Sequence, residues 1–291
     1  MDQNNIVIRN LAGVGFDEVA GAFAEAFADY DIRIDPKSLA DMLRRRGMRP
    51  ELSFAAFDGG RIVSFILNGI GTFDGRLTAY DTGTGTVPDF RGRGLTDRIF
   101  AYSLAPLRDA GVGVYLLEVL THNIPAVKIY ERQGFGIARE FDCFGGDVDS
   151  VIATAGQKAN LDITINRVSP EEISSHAGWM EFAPSWQNSF ESIHRNPDAF
   201  VCLMAFEGGE PVGFGVSETA YGDITQLAVA HDRRRRGIGS RLLAELTRMS
   251  HLPRIKALNI PVEATSAAGF LLASTLTPTC RQYEMHRDLT K

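Results

Sequence analysis

The sequence predicts a mixed α/β fold, α+β-like in the order of its elements, arranged as two tandem domains that each have a mixed central sheet flanked by helices. The first observation is a β-type run that ends at Val87, followed by a loop rich in glycine and arginine and by an amphipathic pattern from Leu95. The second is that this order recurs from Leu227 to Leu243, with matching residues 143 positions apart. The third is the length, because 291 residues suit about two domains.

The composition is that of an ordinary globular protein, 44% hydrophobic and 23% charged, with a net charge of -6. This acidic balance argues against a nucleic-acid-binding protein, because such domains are usually basic. Three cysteines stand far apart, which favours buried thiols over a disulfide framework or a metal site. The N-terminus has no signal-peptide pattern, and no apolar run approaches the about 20 residues of a membrane span. We therefore expect a cytoplasmic protein without a nucleic-acid or membrane partner, and its oligomeric state stays open.

The first half divides into β-type runs and helical periods. Asp58-Gly59-Gly60 lies between two such runs and is a strong hairpin signal. The continuous apolar run of residues 111–119 favours a strand buried on both faces beside a parallel neighbour. The arginine run 44–46 fits either a solvated helix end or a wall of an acceptor site. The predicted strands are residues 6–9, 52–57, 62–71, 76–87 and 111–119, and the predicted helices are 16–30, 36–46, 94–110 and 123–134.

The loop of the first copy, residues 91–94, has the composition of an anion site. Glycines let the backbone bend so that successive N–H groups face one point, and the helix N-terminus and arginines add positive charge. The second copy contains the run Arg233–Arg236 between a strand and a helix, which in an acidic chain favours phosphate over nucleic acid. Neither loop has the G-K-[ST] of a nucleotide triphosphatase or the third glycine of a dinucleotide site.

A second informative stretch runs from Asn123 to Phe135. Asn123 suits a helix N-cap, and Gly134 suits the position just after the helix. Asn123 and Tyr130 are seven residues apart, about two helical turns, so both side chains face one groove. Tyr130 taken by itself would fit a core aromatic residue, and only its place beside the anion loop points to a site.

The loop pattern V-x-x-x-R-x-x-G-x-(G/A) and the helix pattern N-x-x-A-x-x-x-Y-E-x-x-G-F together resemble the GNAT superfamily of N-acetyltransferases. The resemblance covers residues 5–145 and, in the second half, residues 198–250. It implies two tandem acetyltransferase-type domains and an acyl-CoA-dependent N-acyltransferase. Acetyl-CoA, or another acyl-CoA, is the implied donor, and a small-molecule or peptide amine is the acceptor that attacks it directly. The first loop departs from the family at Thr96, where glycine or alanine is usual and where threonine crowds the loop.

The second half restarts with a strand near Asp162, and Ser169-Pro170-Glu171-Glu172 reads as a helix start with a capping box. Further strands are predicted at residues 200–206, 211–219, 223–229, 255–260 and 278–288. The predicted boundaries are 1–148 for the N-terminal domain, 149–161 for a linker or edge element, and 162–291 for the C-terminal domain. An aromatic stretch fits core or interface packing, or the wall of an acceptor pocket; it comprises Trp179, Phe182, Trp186 and Phe190.

The second copy of the helix motif is degenerate. Alignment by spacing from the strand 255–260 places Phe270 at the position of Tyr130, so this half has no hydroxyl to donate there. The same alignment places Glu263 and Ser266 at the positions of Asn123 and Ala126.

The resemblance also implies roles for single residues. The pantetheine arm of the donor would run beside the strand before each loop, and its pyrophosphate would bind the loop itself. Tyr130 would be the general acid for the departing thiolate. Glu118 is our choice of proton acceptor, with Asp81, water or a purely structural carboxylate as alternatives. The implied cofactor-binding residues are Thr86, Val87, Arg91, Gly92, Arg93, Gly94, Leu95, Thr96, Asn123, Ala126, Leu227, Val229, Arg234, Arg235, Arg236, Gly237, Ile238, Gly239 and Ser240.

Neither half of the sequence contains both motifs in complete form. The first half has Tyr130 but a substituted loop, and the second half has the complete loop but no tyrosine. Losing a general acid usually lowers a rate by about 10²–10⁴-fold, more than a bulkier loop residue does. We therefore expect the chemistry in the N-terminal domain. The alternatives are catalysis in the C-terminal domain and a non-catalytic acyl-CoA-binding or regulatory protein.

Overall fold

A computed structural model describes residues 6–29, 34–156 and 162–290 of the chain. Its contacts form two compact units. The first unit comprises Met1–Ala138 with Glu284–Lys291, and the second comprises Arg139–Tyr283. The units differ from the predicted 1–148 and 162–291 because the first takes the end of the chain and the second takes residues from 139 onward.

The sheet of the first unit has the strand order β1-β2-β3-β4-β5 and ends with the C-terminal part of β12. Its strands β1 to β4 pair antiparallel, whereas β4 and β5 pair parallel, as the apolar run predicted. The strands are β1 (Ile6–Asn10), β2 (Phe54–Asp58), β3 (Arg61–Phe73), β4 (Arg76–Thr86), β5 (Val114–Leu120) and β12 (Thr277–Asp288). The helices are α1 (Phe16–Ala26), α2 (Pro36–Arg46), α3 (Leu95–Asp109) and α4 (Ile124–Arg132).

Local signals account for the helix ends of this unit. Asp35 caps α2 by accepting hydrogen bonds from the N–H groups of Lys37 and Ser38, at 2.9 and 3.0 Å. Gly47 ends α2 with a φ of 76° in the left-handed region, so the predicted range 36–46 is confirmed. Helix α1 is shorter than predicted and ends at Ala26. The last residue of the predicted range, Tyr30, lies outside the described residues.

Helix α1 packs closely on the sheet where β4 approaches the anion loop. A Cβ atom on Gly85 would lie 2.7 Å from Phe65 Cζ and 3.0 Å from Ala26 Cβ. The first separation is shorter than real Cβ contacts and the second is tighter than most, so a larger residue here would force the Phe65 ring of β3 or helix α1 to shift. Gly85 therefore allows Phe65 and α1 to pack closely against β4.

The sheet of the second unit has the strand order β12-β6-β11-β10-β9-β8-β7, of which β12 contributes its N-terminal part. Strand β10 pairs parallel with β11, and β6 pairs antiparallel with β11. The strands are β6 (Gly136–Asp147), β7 (Thr164–Arg167), β8 (Val201–Glu207), β9 (Glu210–Glu218), β10 (Asp223–Val229) and β11 (Arg254–Pro261). The helices are α5 (Val148–Gly156), α6 (Pro170–Ser174), α7 (Phe190–Arg195), α8 (Ile238–Arg248) and α9 (Thr265–Leu272).

Two elements of the second unit differ from the sequence-based expectations. Strand β6 was not expected, because its pairing partner β11 lies more than a hundred residues later in the chain. The predicted linker or edge element 149–161 contains helix α5 instead. Val151 of α5 is fully buried in the core of the second unit, which is why this segment is helical and packed. Residues 157–161 lie outside the described part of the chain.

Helix α6 begins with the predicted capping box. Ser169 Oγ accepts from Glu172 N at 3.3 Å, and Glu172 Oε2 accepts from Ser169 N at 2.9 Å. No helix in the described part of the chain is both long and apolar enough to cross a membrane.

Replacing Ser169 by alanine is expected to lower the free energy of unfolding by about 1 kcal/mol, because one N–H at the helix start loses its acceptor. Urea unfolding of the full chain measures this. The matched control is Ser174→Ala, because Ser174 Oγ only donates to Glu171 O within the same helix. Equal midpoints for both variants would show that the capping box adds nothing to stability.

Candidate active site

Strands β4 and β5 separate at one point in the first unit, and this creates an opening in the sheet. Their parallel pairing runs from Thr78 opposite Val114 to Asp81 opposite Leu117. Beyond Asp81 a bulge shifts the register of β4 against β3, between Leu67 and Asn68. A bulge re-aims the strand that carries it. Both carboxylates that were considered as proton acceptors therefore lie at the apex of the opening, Asp81 on β4 and Glu118 on β5.

The Asp81 carboxylate is buried and held by its own turn. Its side chain accepts from Gly83 N at 3.0 Å and from Thr84 Oγ1 at 2.6 Å. Burial is the largest influence on this group and raises the pKa of Asp81 to about 6. The two hydrogen bonds and the nearby Arg46 act in the opposite direction. The result is a carboxyl group that titrates close to neutral pH.

Glu118 and Arg46 each lie close to Tyr80. The Tyr80 hydroxyl is hydrogen-bonded to Glu118, and burial followed by the charge of Glu118 raises the pKa of Tyr80 well above its ordinary value. Arg46 Nη1 donates to Thr82 O at 3.0 Å, and its guanidinium lies 5.9 Å from the centre of the Tyr80 ring. Arg45 is 5% exposed. A solvated end for α2 is therefore wrong for Arg45 and Arg46, because α2 packs this end against the bulge of β4.

The ring of Tyr130 on α4 is fixed by other aromatic side chains. It packs edge-on against Phe100 of α3 at 5.9 Å and against Phe135 at 6.0 Å between ring centres. Tyr115 of β5 packs against both of these phenylalanines and donates its hydroxyl to Asn68 Oδ1 at 2.7 Å. After burial, the charges of Asp81 and Tyr130 both raise the pKa of Tyr115. Asp81 and Tyr130 therefore act on one common neighbour at this opening.

The arginines of the first loop are committed to the protein itself. Arg91 donates to Asp29 Oδ2 at 2.8 Å, to Ala26 O at 3.0 Å and to Thr86 O at 3.2 Å. It thereby ties the end of α1 to the end of β4. Arg93 Nη2 donates to Asp89 O at 2.6 Å, and its guanidinium also lies over a phenylalanine ring. An anion at this loop would therefore meet backbone N–H groups first.

The backbone of the first loop has the shape that an anion site requires. Gly92 and Gly94 have φ values of 73° and 69°, in the region that favours glycine. Gly94 is the N-cap of α3, so the first N–H groups of the helix are open toward the loop. Thr96 Oγ1 is hydrogen-bonded to Thr86 Oγ1 at 3.3 Å, which turns its hydroxyl toward β4.

Three of the predicted first-unit residues have mainly structural contacts. Asn123 is the N-cap of α4, and its Oδ1 accepts from Ala126 N at 3.3 Å. Val87 and Leu95 are 1% and 3% exposed, so their side chains belong to the core. These residues shape the opening, and their backbone groups remain the parts that a donor would contact.

The second unit contains a cleft of about 620 Å³ at the corresponding opening. Its lining includes the loop before α8, the end of β10 and the segment around Trp179 and Phe182. Every predicted cofactor-binding residue of this half lines the cleft except Arg236, whose guanidinium pairs with Glu207 at 2.7 Å.

The second loop repeats the first one atom for atom at its anchoring arginine. Arg234 Nε donates to Val229 O at 3.1 Å and Arg234 Nη2 to Trp179 O at 2.8 Å, as Arg91 does 143 positions earlier. Arg235 stands at the position of Gly92 and has the same left-handed backbone, with a φ of 63°. Within the described part of the chain, Arg235 is the one guanidinium of the run 233–236 without a protein partner.

The aromatic stretch of the second unit divides between the two roles considered for it. Trp186 is 1% exposed, and Phe190 packs against Phe214 at 6.4 Å between ring centres. Trp179 and Phe182 line the cleft. Core packing and a pocket wall are therefore both present.

The alignment of the second helix motif was wrong by one residue. Asn123 and Ala264 are N-caps with nearly identical backbone angles, and Leu276 N donates to Leu271 O as Phe135 N donates to Tyr130 O. The residue equivalent to Tyr130 is therefore Leu271. The cause is a bulge in β11 between Ala257 and Ile260, which makes β11 one residue longer than β5. The second unit still lacks a hydroxyl at this position.

Two residues at these openings were not predicted individually from the sequence. Arg46 was considered only as part of an arginine run, and its contact with the bulge depends on the packing of α2. Gln226 lines the second cleft, and its only sequence signal is a glutamine in the otherwise apolar end of β10.

Comparison with known proteins decides the family. The family model described as acetyltransferase (GNAT) family matches residues 19–135 and again residues 168–268. The chain belongs to the GNAT family of acetyltransferases. The two matches confirm the predicted tandem form, and the family is one of acyl-CoA-dependent N-acetyltransferases.

Solved structures share this GNAT architecture over the whole chain. A tandem GNAT protein from the clavulanic acid biosynthesis pathway matches with a TM-score of 0.75 and 14% identity, over 98% of each chain. A GCN5-related N-acetyltransferase from Sphaerobacter thermophilus matches with a TM-score of 0.68 and 15% identity, over 99% of this chain and 97% of that one. At such identities the likeness shows the fold alone.

One curated relative matches a short part of this GNAT protein. Mycothiol acetyltransferase from Corynebacterium aurimucosum is 43% identical over 56 residues, which are 19% of this chain and 18% of the relative. The match thus spans less than a fifth of that protein.

Proposed function

We propose that the protein transfers an acetyl group from acetyl-CoA to an amine of a small molecule or peptide, and that the first unit carries out the chemistry. The observation that carries this proposal is the opening between β4 and β5. Asp81 and Glu118 lie at its apex. The charges of Asp81 and Tyr130 both raise the pKa of Tyr115, which lies beside the opening. Amine acetylation needs one group that removes a proton from the amine and one that gives a proton to the departing sulfur. Asp81 or Glu118 takes the first role and Tyr130 takes the second.

The residues of the first loop fit the donor. Open N–H groups at the start of α3, two glycines with positive φ and the helix dipole together suit a pyrophosphate. Arg91 keeps this backbone in place through its three hydrogen bonds. Acetyl-CoA supplies the acetyl group on a thioester, and the end of β4 at Thr86 and Val87 would lie along its pantetheine arm.

The proton transfers follow from the same geometry. The amine must be neutral when its nitrogen forms the new C–N bond and the C–S bond breaks. Asp81 or Glu118 takes the proton that the nitrogen gives up, directly or through water. Tyr130 gives a proton to the departing sulfur, and its fixed ring keeps the hydroxyl in one position.

Catalysis in the second unit is the second candidate, and the cleft of about 620 Å³ favours it. The complete loop and the aromatic segment border one continuous space there. Against it stands the chemistry of the lining, because the described residues that line this cleft include no tyrosine and only one carboxylate, the exposed Glu181.

Matched glycine variants test which unit is active. Gly94→Ala and Gly237→Ala each force alanine into a left-handed backbone, with φ values of 69° and 93°, at an unfavourable energy of about 1–2 kcal/mol. We expect Gly94→Ala to raise the KM for acetyl-CoA about 5- to 10-fold, and Gly237→Ala to leave turnover within about twofold. Release of free CoA with a panel of amines measures both. The reverse result would place the chemistry in the second unit, and binding without turnover of any amine would favour a regulatory protein.

A further inference from the structure

Gln226 has an unused hydrogen-bond acceptor at the wall of the second cleft. The residue is 3% exposed and lines the cleft. Its Nε2 donates to Asn188 O at 2.7 Å, whereas its Oε1 is buried without a hydrogen-bond partner among the described residues. The orientation of the amide is settled by this contact, because a carbonyl oxygen at Asn188 must face a donor.

The position of Oε1 is rigid. Asn188 Nδ2 donates to Leu258 O of β11 at 2.9 Å, so the segment 186–188 connects β10 to β11 where these strands separate. A bulge between Ile224 and Gln226 directs this part of β10. A buried acceptor that stays unbonded is unfavourable, and structures rarely keep one without a reason.

The surroundings of Gln226 narrow the chemistry of a ligand. The cleft lining is largely apolar and includes Trp179, Phe182 and Phe270. The same lining includes the basic loop, whose Arg235 guanidinium has no partner among the described residues. A neutral amide oxygen accepts a hydrogen bond from an uncharged N–H without stabilising an ammonium ion as a carboxylate would. The cleft therefore suits a molecule with an anionic end and an uncharged N–H group.

We propose that the second unit is a ligand site of its own, in which Gln226 Oε1 accepts a hydrogen bond from an uncharged N–H while the basic loop holds an anion. This inference goes beyond the proposed function, which concerns the first unit, and it does not depend on it. The N–H has two possible sources with the same chemistry. It belongs either to an amide of the pantetheine arm of coenzyme A or to a separate uncharged amine bound next to it.

Tryptophan fluorescence isolates this site in the full chain. The protein has two tryptophans, Trp179 and Trp186, and both lie in the second unit, with Trp179 in the cleft lining. The wild type and Gln226→Leu are titrated with coenzyme A, with adenosine 3′-phosphate 5′-diphosphate, which lacks the arm, and with aniline, an amine that is uncharged at neutral pH, in the presence of coenzyme A. Gln226→Met repeats the test if the leucine variant does not fold.

The control is Ser217→Ala. Ser217 is 1% exposed, and within the described ranges its Oγ is also buried without a hydrogen-bond partner. It lies on the neighbouring strand β9 outside the cleft lining. The substitution Ser217→Ala therefore removes a buried oxygen comparable to Gln226 Oε1 and leaves the cleft lining unchanged.

We expect Gln226→Leu to raise the Kd of coenzyme A about 5- to 10-fold and to leave the Kd of the armless nucleotide within about twofold, which assigns the N–H to the arm. A raised Kd for the amine alone supports the proposal with the amine as the source. The proposal is overturned if all three Kd values are unchanged, if Ser217→Ala gives the same losses, or if the wild type binds none of the ligands.

Discussion

Replacing Tyr130 by phenylalanine is expected to lower kcat for acetyl transfer by about 10²–10⁴-fold, because the departing thiolate loses its proton donor. The ring keeps its edge-on contacts with Phe100 and Phe135, so the fold and the position of α4 are retained. The KM for acetyl-CoA should change little, since the hydroxyl acts in the transition state. Steady-state release of free CoA, followed with a thiol reagent and a reactive amine, measures both constants.

Tyr102→Phe is the matched control for this substitution. Tyr102 lies on α3 of the same unit and is 46% exposed, so removal of its hydroxyl should leave kcat within about twofold. Unchanged turnover in Tyr130→Phe would refute the general-acid assignment. A loss in KM alone would instead give the hydroxyl a binding role.

Replacing Asp81 by asparagine is expected to change how stability depends on pH. Burial raises the pKa of Asp81 from its ordinary value of 3.8 to about 6 in the folded protein. Between these values the folded state holds a proton that the unfolded state has lost, so stability falls as pH rises through this window. The loss totals about 3 kcal/mol above pH 6. The D81N variant has no carboxyl group to ionise and therefore avoids this loss of stability. It should be more stable than the wild type at pH 8 and about as stable as the wild type at pH 4.

Chemical unfolding at pH 4, 6 and 8 tests this expectation. Asp109→Asn, on the exposed end of α3, is the control that should show no such dependence. A D81N variant that gains no stability at pH 8 would contradict the raised pKa.

The same variant separates the two candidates for the proton acceptor. If Asp81 accepts the proton, kcat/KM of the wild type rises with pH through about 6, and D81N loses both this rise and most of the rate. Glu118→Gln would then keep the rise. If Glu118 is the acceptor, Glu118→Gln loses the rate while D81N keeps it. Full activity in both variants would leave water as the acceptor.

Features that depend on a few neighbouring residues could be predicted from the sequence. The range 36–46 of α2 and the capping box at Ser169 each follow from short-range backbone preferences and hydrogen bonds. The GNAT family and the tandem form followed from two motifs whose spacing is set by a strand, a loop and a helix. The roles of Tyr130 and Glu118 and the cofactor-binding residues stay predictions.

The tertiary structure decided what depends on distant partners. Strand β6 pairs with β11, and no local pattern indicates a partner so far along the chain. The bulge in β11 moved the counterpart of Tyr130 from Phe270 to Leu271, because one extra residue in a strand shifts everything after it.

By itself, then, the sequence determined the family and the tandem form, and it predicted the two anion loops and the role of Tyr130, since each of these is written in a contiguous stretch. The structure decided that Arg91 anchors a loop rather than reaching outward, that Asp81 is buried beside the bulge, and that Gln226 keeps a free acceptor. The physical reason is common to all three. Burial and hydrogen bonding of a polar side chain depend on which strands and helices surround it, and these come from remote parts of the chain.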